Sequence, residues 1–221
     1  LSNLQRQSLY DESDIGKPKA LAAKEKLNKI NSEVKIEFFI DDLNSNNISN
    51  IIPINDESNN EKNNKKLNNN TKNNLNNVDL ILDCTDNLET RFLINDFSVK
   101  NKDPFIYSSD VGSKGYLFNV VPDKNNPCLR CFLKEAMQLD TCETSGVLNT
   151  IVHLISSMQA NEAVKILLNK DDIEKNLLFF DVWKNELMKI KVNKNENCEC
   201  CVKTNFEYLS GKKSSKIIKM C

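Results

Sequence analysis

An α/β fold, with helices laid against a sheet, is the class this chain predicts, on three observations. The segment Val78–Arg91 passes from a run in which five of the first seven residues are apolar into helix-spaced residues, with a polar knot between. Short apolar or alternating runs recur along the chain between helical stretches. A chain of 221 residues is also long enough to bury one sizeable core.

The elements follow in order. Leu1–Tyr10 is loop or a short helical turn, and Asp11–Gly16 is polar punctuation. Pro18 suits the first position of a helix. Ala20, Ala23, Leu27 and Ile30 then recur at three- and four-residue spacing, so Lys19–Lys29 is an amphipathic helix. Val34, Ile36, Phe38 and Ile40 alternate, which predicts a strand over 34–40. From Asp41 to Asn77 the chain is mostly Asn, Lys, Ser and Asp. A low-complexity, disordered insertion is expected over 44–77, with a short helical piece near its start. Val78–Leu82 is a strand covered on both faces. Leu88, Phe92, Asn95 and Val99 mark the helix that follows.

Pro104–Ser108 and Tyr116–Val121 are strands, with Gly112 and Gly115 marking the turn between them. Gly146–Lys170 is a helix whose first half is apolar nearly all round, which predicts burial. Leu177–Val182 and Glu186–Val192 form a hairpin. No internal repeat is evident, and residues 1–221 are expected to be one domain.

Composition excludes several classes. The net charge is −1, which gives no general case for nucleic acid or an anionic membrane as partner. No apolar run reaches membrane-span length, and no basic-then-apolar leader opens the chain. The first residue is Leu, so the natural N-terminus is expected upstream. Eight cysteines in such a chain point to thiols and metal rather than a disulfide framework. A cytoplasmic location is expected, an organelle remaining open.

In open α/β sheets, ligands sit outside the carboxyl ends of the strands. A site is therefore expected at Asp83–Asn87. Asp86 has two compatible readings: a helix N-cap with Glu89 three residues on, or a carboxylate facing a metal. Lys17 and Lys19 oppose the dipole at the start of their helix, unless an anion is held there. Cys128-Leu-Arg-Cys131 and Cys198-Glu-Cys-Cys201 are each spaced to give two thiolates to one tetrahedral Zn²⁺. They are either one shared Cys₄ site or two unrelated pairs. Cys142, in T-C-E-T-S-G before a helix, is an activated thiol or an ordinary free cysteine. Cys84 is expected in the core. His153, the only histidine, is taken as a buried structural residue. No G-x-S-x-G, G-x-G-x-x-G or Walker loop is present.

Several stretches in register resemble the ThiF/MoeB/HesA adenylyltransferases, relatives of the ubiquitin-activating enzymes. They are S-N-L-Q-R-Q at Ser2–Gln7, G-K-P-K at Gly16–Lys19, D-C-T-D-N at Asp83–Asn87, P-C-L-R-C at Pro127–Cys131, C-E-T-S-G-V-L at Cys142–Leu148, Q-A-N-E-A-V-K at Gln159–Lys165 and the closing C-E-C-C. The resemblance implies a Rossmann-like, mostly parallel sheet flanked by helices, with an antiparallel extension and a Cys₄ zinc knuckle pair. It implies use of ATP and Mg²⁺ to adenylate the C-terminal glycine of a ubiquitin-like sulfur-carrier protein ending in Gly-Gly.

Roles follow by position. Asn3, Arg6 and Gln7 match the polar face that holds the phosphates. Lys19 matches a phosphate-binding lysine. Asp86 matches the magnesium-holding acid, with Asn87 beside it. Cys128, Cys131, Cys198 and Cys201 match the structural zinc ligands. Cys142 matches a cysteine that in several members takes the activated carrier into a thioester or acyl-disulfide. A homodimer is implied, with a sulfurtransferase or cysteine desulfurase as further partner. The family's Gly-rich nucleotide loop is expected upstream of Leu1, and the helix after Gly146 lacks the family's glycines at Asn149, His153 and Ser156. Two other readings stand beside this one: activation of a ubiquitin-like modifier for conjugation, and an inactive activating-enzyme-like scaffold.

Overall fold

A computed structural model describes residues 3–53, 78–134 and 146–213. In chain order the helices are α1 Lys19–Ile30, α2 Ile48–Ile51, α3 Leu88–Asn101 and α4 Asn149–Leu167. The strands are β1 Ile81–Leu82, β2 Phe105–Val111, β3 Lys114–Val120, β4 Leu177–Asp181 and β5 Glu186–Ile190. They form one sheet in the order β1-β2-β3-β4-β5. β1 runs parallel to β2, and the remaining neighbours are antiparallel. The α/β class stands, with helices flanking a mixed sheet. Its parallel part, among the described residues, is the single pair β1–β2.

Strand alternation sends side chains to two cores. Phe105, Tyr107, Phe118 and Val120 face one side, where Phe92 and Phe97 of α3 and the buried cysteines join them. Ile106, Leu117, Leu178 and Phe180 face the other, where they meet Ile151, Ile155, Ala163 and Ile166 of α4. The sheet is thus covered by α3 and the cysteine segments on one face and by α4 on the other.

Several expectations are corrected. Val34–Ile40 has no ladder partner among the described residues, and Val34, Phe39 and Ile40 are exposed. Alternation sets which way side chains point, but a strand also needs a neighbour for its backbone groups. β1 is not covered on both faces, since Leu82 is 46% exposed. Cys84 is exposed rather than in the core. Alternation past β1 turns Asp83 inward and Cys84 outward. Residues 44–53 are built into the fold: α2 buries Ile48 completely against the α3-side core, flanked by Leu43 and Ile52. The rest of the expected insertion, 54–77, lies outside the described residues.

α4 buries one face only, because Asn149, His153, Ser156 and Ser157 break the apolar surround. His153 is exposed, with Nε2 3.0 Å from the Ser8 hydroxyl and Nδ1 2.9 Å from the Asn149 carbonyl. The hairpin forms as expected, but every residue of β5 is exposed, which marks an edge strand.

Gly115 lies inside β3 rather than in the turn, opposite Asp110 and Phe180. The turn is Gly112–Ser113, and Gly112 has φ +61°. Gly115 is where α4 presses closest: a Cβ there would stand 2.4 Å from Ile155 Cγ1 and 2.9 Å from Ile151 Cδ1. Gly115→Val is therefore expected to destabilise the fold by about 1–3 kcal/mol through overpacking. Urea unfolding checks this. An unchanged midpoint would mean that α4 does not pack as closely as the geometry requires.

Candidate functional site

Two loci hold the residues singled out from the sequence. The first lies where β1 runs out. Asp83 is fully buried, and its Oδ1 accepts hydrogen bonds from the Thr85 N–H at 2.9 Å and the Thr85 hydroxyl at 2.7 Å. This Asx turn bends the chain toward α3. Asp83 Oδ2 lies 3.4 Å from Nε of Arg91, which is 1% exposed. The Arg91 guanidinium donates through Nη2 to the carbonyls of Thr85 at 2.6 Å and Ser108 at 3.0 Å, and it stacks over Tyr107 at 5.1 Å. Gln159 Nε2 of α4 donates to the carbonyls of Asp83 and Ile106, both at 3.1 Å, and the Ser108 hydroxyl donates to the Asp83 carbonyl at 2.9 Å. The loop is anchored from beneath at each step.

Burial raises the pKa of Asp83, with the Arg91 charge opposing. Burial likewise pushes Asp110, at the end of β2, up to about 7 against the pull of Arg91. Sequence reasoning placed Asp83 within the expected site at Asp83–Asn87 without giving it a role, and it missed Arg91 and Asp110. The one signal for them was a charged residue within an apolar pattern.

The helix cap is Asn87, not Asp86. Asn87 Oδ1 accepts from the Thr90 N–H at 2.8 Å, and its Nδ2 is 3.5 Å from Asp86 Oδ1. The residue directly before the first helical turn is the one in register to cap it. Asp86 is left exposed beside the helix start with no capping duty.

The second locus is the start of α1. A cavity of about 190 Å³ is lined by Asn3, Gln7, Tyr10, Lys17 and Lys19, with Asp11 and Asp14. Arg6 joins it indirectly, its Nη2 donating to Asn3 Oδ1 at 3.0 Å. α1 begins after Pro18 without a side-chain cap, so its first N–H groups are open to an anion. Lys17 pairs with Glu25 at 3.6 Å, whereas no carboxylate among the described residues pairs with Lys19. Lys26, missed in the sequence, sits 2.6 Å from Asp11 and 2.5 Å from Asp14, and hydrogen bonds to Lys26 hold both carboxyls below their usual range. The structure thus brings Asn3, Gln7 and Lys19 together with Arg6 alongside. Asp86 and Asn87 belong to the β1 locus and do not line this cavity.

The two cysteine pairs meet. The Sγ atoms of Cys128, Cys131, Cys198 and Cys201 all lie within 4.8 Å of one another, with Cys128–Cys198 at 3.7 Å and Cys131–Cys201 at 3.5 Å. Thiolates at about 2.3 Å from one tetrahedral zinc would stand about 3.8 Å apart, so the set fits that ion. Cys200 is buried beside them. Cys142 and Cys221 lie outside the described residues.

The chain matches the family model described as "ThiF family" over residues 1–201. It is 35% identical to the sulfur carrier protein ThiS adenylyltransferase of Bacillus subtilis strain 168, covering 100% of this chain and 60% of that relative. It is 27% identical to the enzyme of the same description from Escherichia coli K12, over 94% of this chain and 74% of the relative. It is 31% identical to the adenylyltransferase and sulfurtransferase MOCS3 of Culex quinquefasciatus, over 91% of this chain but 42% of that protein. Among solved structures, E. coli MccB with AMPCPP and MccA superposes with a TM-score of 0.68 at 16% identity, covering 90% of this chain and 55% of that one. At that identity the likeness is one of fold.

The buried pair at the β1 exit gives a direct test. Arg91→Leu leaves Asp83 buried and uncompensated, with an expected cost of about 3–5 kcal/mol, and adding Asp83→Asn should recover part of it. Denaturant unfolding of the two variants measures this. A double variant no more stable than Arg91→Leu would contradict the pairing.

Proposed function

Because the chain belongs to the ThiF family, we propose that it adenylates the C-terminal glycine carboxylate of a ubiquitin-like sulfur-carrier protein. A carboxylate oxygen of the carrier attacks the α-phosphorus of ATP and pyrophosphate leaves. The acyl-adenylate then carries AMP as leaving group, and so becomes an electrophile that the carboxylate was not. Such a step is helped mainly by positioning and by neutralising phosphate charge. That suits a chain whose single histidine is exposed and held by Ser8. Carrier, homodimer, sulfurtransferase or desulfurase partner and a cytoplasmic setting belong to the proposal. No described helix is long and apolar enough to cross a membrane.

The observation that most supports this reading is the start of α1. An uncapped helix N-terminus, a lysine without a carboxylate partner among the described residues, Asn3 and Gln7 line one cavity. That donor set suits the oxygens of a polyphosphate. Arg6 sits behind Asn3, fixing the amide. At the β1 exit, Asp86 would hold Mg²⁺, whose chemistry is to neutralise charge on the phosphates, and Asn87 fixes the helix start beside it. The four clustered cysteines would hold Zn²⁺ as a closed structural site. Cys142 is proposed as the thiol that accepts the activated carrier.

ATP–pyrophosphate exchange by the full-length protein with candidate carriers tests the reading. Wild type is expected to exchange label only when carrier is present. Lys19→Ala and Asp86→Ala should each lower exchange by about a hundredfold or more, as loss of a group aimed at developing charge does. Exchange left intact in either variant would remove that residue's role, and no exchange with any carrier would favour the scaffold reading.

A further inference from the structure

Asn95 lies in the middle of α3 and is completely buried. Its Oδ1 accepts from the Leu129 N–H at 2.8 Å, and its Nδ2 donates to Cys200 Sγ at 3.2 Å. Leu129 follows Cys128 in the first knuckle, and Cys200 stands between Cys198 and Cys201 in the second. One amide therefore holds both halves of a cluster whose facing cysteines, Cys128 and Cys198, are 70 residues apart in sequence. Four thiols close a tetrahedral shell unaided, so completing the shell does not account for a buried amide here. A buried amide is costly unless its hydrogen bonds are made, and both groups of this one are engaged with the knuckles.

We propose that Asn95 is a positioning residue for the Cys₄ metal site. It fixes the separation of the two knuckles and ties them to α3, at whose start Asn87 is the cap. Asp86 and Asn87 lie about two turns away along that helix. The inference goes beyond adenylylation and rests only on reading the four cysteines as a metal site. Its neighbour Asp96 accepts from the Tyr208 N–H at 2.9 Å, and it meets the knuckles through side chains, facing Arg130 at 3.2 Å and hydrogen-bonding the Cys200 thiol. Asn95 is the member of the pair that bonds the knuckle backbone, at the Leu129 N–H, as well as the Cys200 thiol.

The test uses full-length protein loaded with one equivalent of zinc and follows metal transfer to a chromophoric chelator. Cobalt-substituted protein supplies the ligand-field spectrum of the thiolate shell. Asn95→Leu, which removes both hydrogen bonds at similar volume, is expected to speed release about tenfold or more and to weaken the cobalt bands. Cys200→Ala removes the acceptor together with the thiol's contacts to Asp96 and Cys128, so it should speed release by itself, and the two changes combined should speed release by less than the product of their separate effects. Asn101→Ala, on the same helix with its side chain bonded, among the described residues, only to the Phe97 carbonyl, should release metal as wild type does. If Asn95→Leu does not fold, Cys200→Ala decides. Wild-type release and cobalt bands in Cys200→Ala, or in a folded Asn95→Leu, would overturn the proposal. So would a wild-type protein that takes up no zinc, a result that leaves pyrophosphate exchange to be judged separately.

Discussion

The Arg91 guanidinium, sealed under the end of β1, is the contact on which the local structure turns. It binds two carbonyls from segments that the short β1–β2 ladder, the Ser108 hydroxyl and Gln159 also join, and its charge faces the carboxylate of Asp83. A buried arginine is unfavourable unless its charge and donors are met. The backbone of Thr85 and Ser108 must therefore stay where it is. Asp83 then folds the chain through its own Asx turn, Asn87 opens α3, and Asp86 is left at the surface.

The same helix links that exit to the sulfur cluster. α3 begins at the Asn87 cap, crosses the sheet with Phe92 and Phe97 in the core, and meets both knuckles through Asn95. The start of α1 is a separate locus whose character comes from an uncapped helix end and Lys19. Lys26 neutralises Asp11 and Asp14 at its edge, which leaves the cavity more receptive to an anion than its lining residues alone suggest.

Much of this was legible in the sequence. Apolar runs, helical spacing and the two C-x-x-C pairs are periodic or paired signals that do not depend on distant residues, and they located β2–β5, α1, α3, α4 and the cysteine cluster. What depended on tertiary partners was not legible. Val34–Ile40 has a strand's alternation but no ladder among the described residues. Ile48 lies in a stretch whose composition resembles a solvated insertion, yet it is fully buried because α2 lies on the core. Gly115 looked like a turn residue, and only the approach of Ile155 explains it. Arg91 looked like an ordinary polar residue near a helix start, and Asp83 stood in the expected site without an assigned role.

The proposed function places one magnesium nucleotide against both the start of α1 and the exit of β1. Hydrogen exchange of the full-length protein, with and without a non-hydrolysable Mg·ATP analogue, tests it most directly. The account predicts slowed exchange in Gly16–Ala22 and in Thr85–Arg91 together. Protection of one segment without the other, or of neither, would contradict it.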